Sequence, residues 1–167
     1  MTDKSFGLRI IFSKTEGLEL DAFALKSAVR TAVKTALSCE GFSADAEVSV
    51  TFSSGEYIRE LNSSHRGVDR VTDVLSFPIY EREELSSLPR EMPITLGDIV
   101  ICLSRAGEQA GELGNTLIEE VSFLAVHSTL HLLGYDHERS PEDDELQCSR
   151  QRVIIEKIKS LKGETDK

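Results

Sequence analysis

Cysteine is scarce in this chain: Cys39, Cys102 and Cys148 are all there are in 167 residues. They are odd in number, far apart and in no Cys-x-x-Cys arrangement. That argues against a disulfide framework or a cysteine-based zinc site and leaves buried structural thiols. Long apolar runs are missing too, since nothing approaches the roughly 18 residues of a membrane span. The opening residues, MTDKSFGLRIIFS, have neither the apolar stretch nor the cleavage site of a secretory leader, so the expected location is the cytoplasm. Basic residues are outnumbered, with 19 Lys and Arg against 29 Asp and Glu and a net charge of -10. A balance of that sign argues against broad, non-specific nucleic-acid binding and confines any polyanion to a local basic patch. Repeats, low-complexity tracts and linkers are absent as well.

What remains is ordinary globular composition, 40% hydrophobic and 29% charged, at a length that suits one domain with its own core. The expected organisation is a single domain over residues 1–167, with 163–167 as a frayed tail. Residues 7–12 read as a strand. Residues 21–40 read as a helix with Phe23, Val29, Val33, Ala36 and Leu37 near one face, stopped by Gly41. Alternation of Val48, Val50 and Phe52 marks a half-buried strand over 46–52. A short helix over about 54–61, a polar loop NSSHRGVDRVTD and a strand VLSF ended by Pro78 follow.

Residues 81–93 carry charge, serine and two prolines and read as an exposed loop. A strand over 95–103 and a helix over about 104–112 come next. Thr116 and Glu119 form a capping box for a longer helix that runs to about Leu133 and stops at Gly134. Ser140 and Pro141 open a last helix that ends near Gly163. Strands and helices are intermixed, which predicts a mixed α+β fold with a small sheet covered by helices.

The chemistry concentrates in VHSTLHLLGYDH, which holds three of the four histidines. His127 and His131 are four residues apart on a predicted helix and share one face. Gly134 ends that helix, and the turn through Tyr135 and Asp136 brings His137 back towards the pair. Three neutral nitrogens suit one zinc ion and leave its fourth position open for chemistry. A closed structural site is the other reading of these residues, with Asp136, Cys148 or a more distant group as fourth ligand. The spacing also matches the metalloprotease pattern H-E-x-x-H-x-x-G-x-x-H in every position but one. Ser128 stands where that pattern keeps its glutamate general base, which argues against peptidase chemistry.

At this point a family comes into view. HSTLHLLGYDH resembles the signature of the YbeY family, the bacterial metal-dependent endoribonucleases of ribosomal RNA maturation. ELNSSHRGVDRVTDVLSFP, residues 60–78, looks like that family's second motif, and LGDIVIC, residues 96–102, like its third. The resemblance implies a four-stranded mixed sheet, zinc on His127, His131 and His137, one ion per chain, and an arginine at the cleft, by motif position Arg66. Ser128 departs from the glycine usual after the first histidine, and His65 from an aromatic often found before the arginine. The implied activity is cleavage of single-stranded RNA in maturation of the 3′ end of 16S ribosomal RNA and in ribosome quality control. Small ribosomal subunits and assembly factors are the implied partners.

Arg66 also has a physical case, because a guanidinium beside a metal can hold a phosphate bidentately. Asp136 has three readings: it fixes the tautomer of a ligand histidine, serves as general base, or stabilises the turn. Lys26, Arg30 and Lys34 recur every four residues as a basic stripe, either a seat for an RNA backbone or a solvated helix face. Two rivals to the nuclease stand beside it: a metallohydrolase of another substrate, and a non-catalytic ribosome-assembly protein that uses the metal for rigidity.

Overall fold

The computed structural model describes residues 7–19 and 21–165. Residues 1–6, the first part of the stretch on which the leader and location expectations rest, lie outside that range. The elements run β1 (Leu8–Lys14), α1 (Ala22–Cys39), β2 (Ala46–Ser53), α2 (Gly55–Arg66), β3 (Val74–Pro78), α3 (Arg82–Ser87), β4 (Ile94–Cys102), α4 (Leu103–Leu113), α5 (Leu117–Leu132) and α6 (Pro141–Thr165). The four strands form one mixed sheet in the order β1-β2-β4-β3. β1 and β4 run parallel to β2, whereas β3 is antiparallel to β4. Pro78 lacks an N–H for a ladder and sits at the end of the edge strand β3, where none is required.

The sheet is covered on both faces, and β4 shows why it reads as a near-continuous apolar run. Ile99 and Ile101 point into the main core with α1 and α5, while Val100 and Cys102 point to a smaller core under Ile58 of α2. α5 is the central helix. It packs on α1, α4, α6 and the β3–β4 half of the sheet, and ten of its sixteen residues are buried. The Thr116–Glu119 capping box forms as expected, with Glu119 N donating to Thr116 Oγ1 at 3.2 Å. Ser140 caps α6 by accepting from Asp143 N at 3.1 Å.

Four expectations need correction. Phe23 does not join the buried face of α1; at the first turn it is 84% exposed, and Leu25 takes its place. α2 does not stop near Leu61 but continues through the polar residues to Arg66. Asn62 replaces an apolar anchor there, buried with its amide donating to Arg70 O at 3.0 Å, and Gly67 in the left-handed region ends the helix. The stretch after Tyr80 is not all loop, since α3 forms behind a bond from Glu81 N to Glu84 Oε2 of 2.9 Å. Finally, α6 continues through Gly163 to Thr165, and the last two residues of the expected tail lie outside the described range. All three cysteines are free, but only Cys102 is buried as expected; Cys39 and Cys148 are partly exposed.

Candidate metal centre

α5 carries His127 and His131 on successive turns, with ring centroids 4.8 Å apart. Gly134 then takes φ 95°, a conformation that a side chain resists. The space is closed as well: a Cβ at Gly134 would lie 2.7 Å from Cβ of Arg82 at the start of α3. The turn delivers His137, whose ring centroid is 5.2 Å from that of His127 and 4.9 Å from that of His131. One nitrogen from each ring falls within 4.8 Å of the other two, and His131 Nε2 is 3.0 Å from His137 Nδ1. Zn–N bonds of 2.0–2.1 Å at a tetrahedral angle would set the nitrogens about 3.3 Å apart. The donor set therefore fits one small divalent ion.

Electrostatics favour the neutral rings that a metal needs. Burial, and then the neighbouring His127 and His137, push the His131 pKa down to about 4. Burial also lowers that of His127, opposed by a hydrogen bond to Gln151. His127 Nδ1 and Gln151 Oε1 are 2.6 Å apart, and Gln147 Nε2 lies 3.3 Å from the same ring nitrogen. Neither glutamine was singled out from the sequence. The signal was present nonetheless: Gln147, Gln151, Ile154 and Ile158 are the buried positions of α6, so two amides occupy an otherwise apolar stripe.

The histidines floor a cleft of about 460 Å³ whose walls include Arg66, Thr72, Asp73, Ser76 and Phe123. Arg66 is the last residue of α2 and reaches across to Glu138, with Nη2 2.9 Å from Oε1. Asp136 also lines the cleft. Its Oδ1 accepts from Glu138 N at 3.0 Å, and Oδ2 is 3.7 Å from Arg139, so the carboxylate shapes the turn while facing the site. Asp73 pairs with neither Arg66 nor Arg70; its Oδ1 accepts from Val74 N at 2.8 Å and from Thr72 Oγ1 at 3.2 Å. His65 packs edge-on against Phe77, 5.0 Å between centroids.

Ser128 points elsewhere. It is fully buried, its Oγ has no hydrogen-bond partner among the described residues, and it is not part of the cleft wall. A glutamate at this position would bury its carboxylate in the core instead of presenting it to the ion. The basic stripe of Lys26, Arg30 and Lys34 is likewise not part of the cleft wall. Lys26 and Arg30 each lie 5.6 Å from the ring centre of Phe12 on β1, at the sheet edge opposite to β3.

The family model described as Endoribonuclease YbeY matches residues 10–159. The chain belongs to the YbeY family. A relative from Desulforamulus reducens, named Endoribonuclease YbeY, is 45% identical over 130 residues, which is 78% of this chain and 84% of its own. A second YbeY endoribonuclease, from Caldanaerobacter subterraneus, is 43% identical over 145 residues, 84% of this chain and 91% of its own. The solution structure of a Thermotoga maritima protein superposes with a TM-score of 0.62 at 27% identity, covering 95% of this chain and 93% of that one. The α+β architecture inferred from the YbeY motifs is thus the observed one.

Proposed function

We propose that this chain is a zinc-dependent endoribonuclease that cuts unpaired RNA in the cytoplasm. In that reading it matures the 3′ end of 16S ribosomal RNA and takes part in ribosome quality control, with small ribosomal subunits and assembly factors as partners. The observation that carries the reading is the convergence of three imidazoles on the floor of a cleft walled by Arg66. Family membership supports it, because the curated relatives bear the name endoribonuclease.

His127, His131 and His137 would hold a single zinc ion, which would supply a Lewis acid at the cleft floor and lower the pKa of water there. The protein's own groups do the rest. Arg66 turns from Glu138 to the scissile phosphodiester and neutralises the charge that builds on its oxygens. Asp136, with its carboxylate at the cleft, accepts the proton of the attacking hydroxyl or water. Lys26, Arg30 and Lys34 hold a distal part of the strand. Peptide cleavage is excluded from this reading, because the residue after His127 is a buried hydroxyl in place of a carboxylate.

The test is incubation of the purified protein with single-stranded RNA and, separately, with unstructured proteins, with and without chelator. Chelator-sensitive RNA cleavage that disappears in His131→Ala is expected, with the proteins left intact. Chelator-sensitive proteolysis lost in His131→Ala, with RNA intact, overturns the assignment.

A further inference from the structure

His127 is joined to α6 by a buried amide. Its Nδ1 lies 2.6 Å from Oε1 of Gln151, a residue only 7% exposed. An amide oxygen accepts and cannot donate, so this contact requires the hydrogen on Nδ1 and leaves the lone pair on Nε2. The opposite amide orientation would do the reverse. It would offer an N–H to Nδ1, place the ring hydrogen on Nε2 and remove the lone pair that a metal requires. Gln147 Nε2 sits beside both atoms of this contact, 3.3 Å from His127 Nδ1 and 3.5 Å from Gln151 Oε1. With the hydrogen on Nδ1, the ring N–H and the Gln147 amide, one turn away on the same helix, converge as two donors on the one Gln151 oxygen. Gln147 is 1% exposed, so no bulk water competes with this arrangement.

We propose that Gln151 is a positioning residue for the metal, which locks His127 as the Nδ1–H tautomer with Nε2 available as a ligand. The proposal rests on the metal reading above. A ligand histidine usually gives its second N–H to a carboxylate, carbonyl or water, and loss of such a partner typically weakens metal binding 10–100-fold. A neutral amide as partner orients the ring without adding negative charge beside the ion. The contact also couples α6 to the site, since the amide reaches His127 only while α6 is docked along α5.

Zinc affinity measured by competition with a chromophoric chelator, on wild type, Gln151→Leu, Gln151→Glu and His127→Ala, tests the proposal. Long-range ¹H–¹⁵N spectra of the metal-free protein report the His127 tautomer directly. Gln151→Leu is expected to bind zinc about 10–100-fold more weakly, to keep the wild-type metal-free melting temperature, and to shift His127 away from Nδ1–H. Gln151→Glu, which retains an acceptor, is expected to bind zinc at least as tightly as wild type. Zinc affinity of Gln151→Leu within twofold of wild type, or a wild-type His127 found as Nε2–H, overturns the role. If Gln151→Leu fails to fold, a tenfold weakening in Gln151→Glu overturns it instead. Equal zinc binding by wild type and His127→Ala is a separate outcome, and it removes the metal reading together with this one.

Discussion

Arg66 stands on the cleft wall with its guanidinium already engaged by Glu138, both side chains about half exposed. An exposed pair of this kind contributes only about 0–1 kcal/mol, so a phosphodiester can take the place of the carboxylate. Arg66→Ala should therefore leave zinc content and fold unchanged and slow RNA cleavage at least about tenfold, the equivalent of roughly 1.4 kcal/mol. An unchanged rate at saturating metal would take Arg66 out of the mechanism. Removing the competitor should act in the other direction. Glu138→Gln frees the guanidinium and should lower the RNA concentration needed for half-maximal rate, which steady-state kinetics at constant salt would detect.

His131 sets an acid limit on the metal-free protein. Its pKa falls from the ordinary 6.5 to about 4 in the folded state, so between these values the unfolded chain binds the extra proton. Stability thus declines as pH falls from about 6.5 towards about 4 and is insensitive to this group below that. Chelator-treated protein followed by thermal melting should show this decline, and His131→Gln should show less of it.

At the scale of elements, the turn after α5 is held from several sides. Tyr135 donates to Glu40 Oε2 at 2.5 Å, Arg150 of α6 donates to Glu40 Oε1 at 2.7 Å, and Arg82 of α3 lies 4.9 Å over the Tyr135 ring. α1, α3 and α6 therefore meet at the segment that delivers His137. Gly134→Ala would force a Cβ into Arg82 and a side chain into φ 95°. The left-handed conformation alone costs about 1–2 kcal/mol. A drop in melting temperature together with weaker zinc binding is expected, whereas wild-type values for both would show that α3 yields freely.

Glu120 in the first turn of α5 offers a second prediction. It is 3% exposed, and burial raises its carboxyl pKa above 4.5 in spite of a hydrogen bond with Asn115. Its folded form holds a proton longer than its unfolded form, so stability falls as pH rises from 4.5 through the folded value. Glu120→Gln should raise the melting temperature at pH 7, and the gain should vanish at pH below about 4.

Considered as a whole molecule, the chain is acidic, and its basic stripe stands at the far edge of the sheet from the cleft. Lys26 and Arg30 over Phe12 gain about 0.5–1 kcal/mol each at such an exposed site, which leaves their charge available to a polyanion. Neutralising Lys26, Arg30 and Lys34 together should weaken RNA binding and flatten its dependence on salt, by roughly 0.7 in log–log slope per lost phosphate contact. The cleavage rate at saturating RNA should not change. An identical slope in the triple variant would mark the stripe as a solvated helix face.

The sequence alone determined the periodic and the local. The alternation of β2, the Thr116–Glu119 cap and the His127–His131–Gly134–His137 spacing are short-range patterns, and each appears in the structure as read. Residues whose partners are distant in the chain were decided by tertiary structure. α2 extends through NSSHR because buried Asn62 finds the carbonyl of Arg70, and no apolar period announces such a bond. Six-residue α3 carries too little pattern to be recognised, yet its backbone closes on Gly134 some fifty residues later. Gln147 and Gln151 acquire their place only because α6 docks on α5 and buries them against His127. Spacing along one helix can bring ligand nitrogens together, but the partner that orients a ligand comes from whichever element packs against it, and packing is a property of the whole chain.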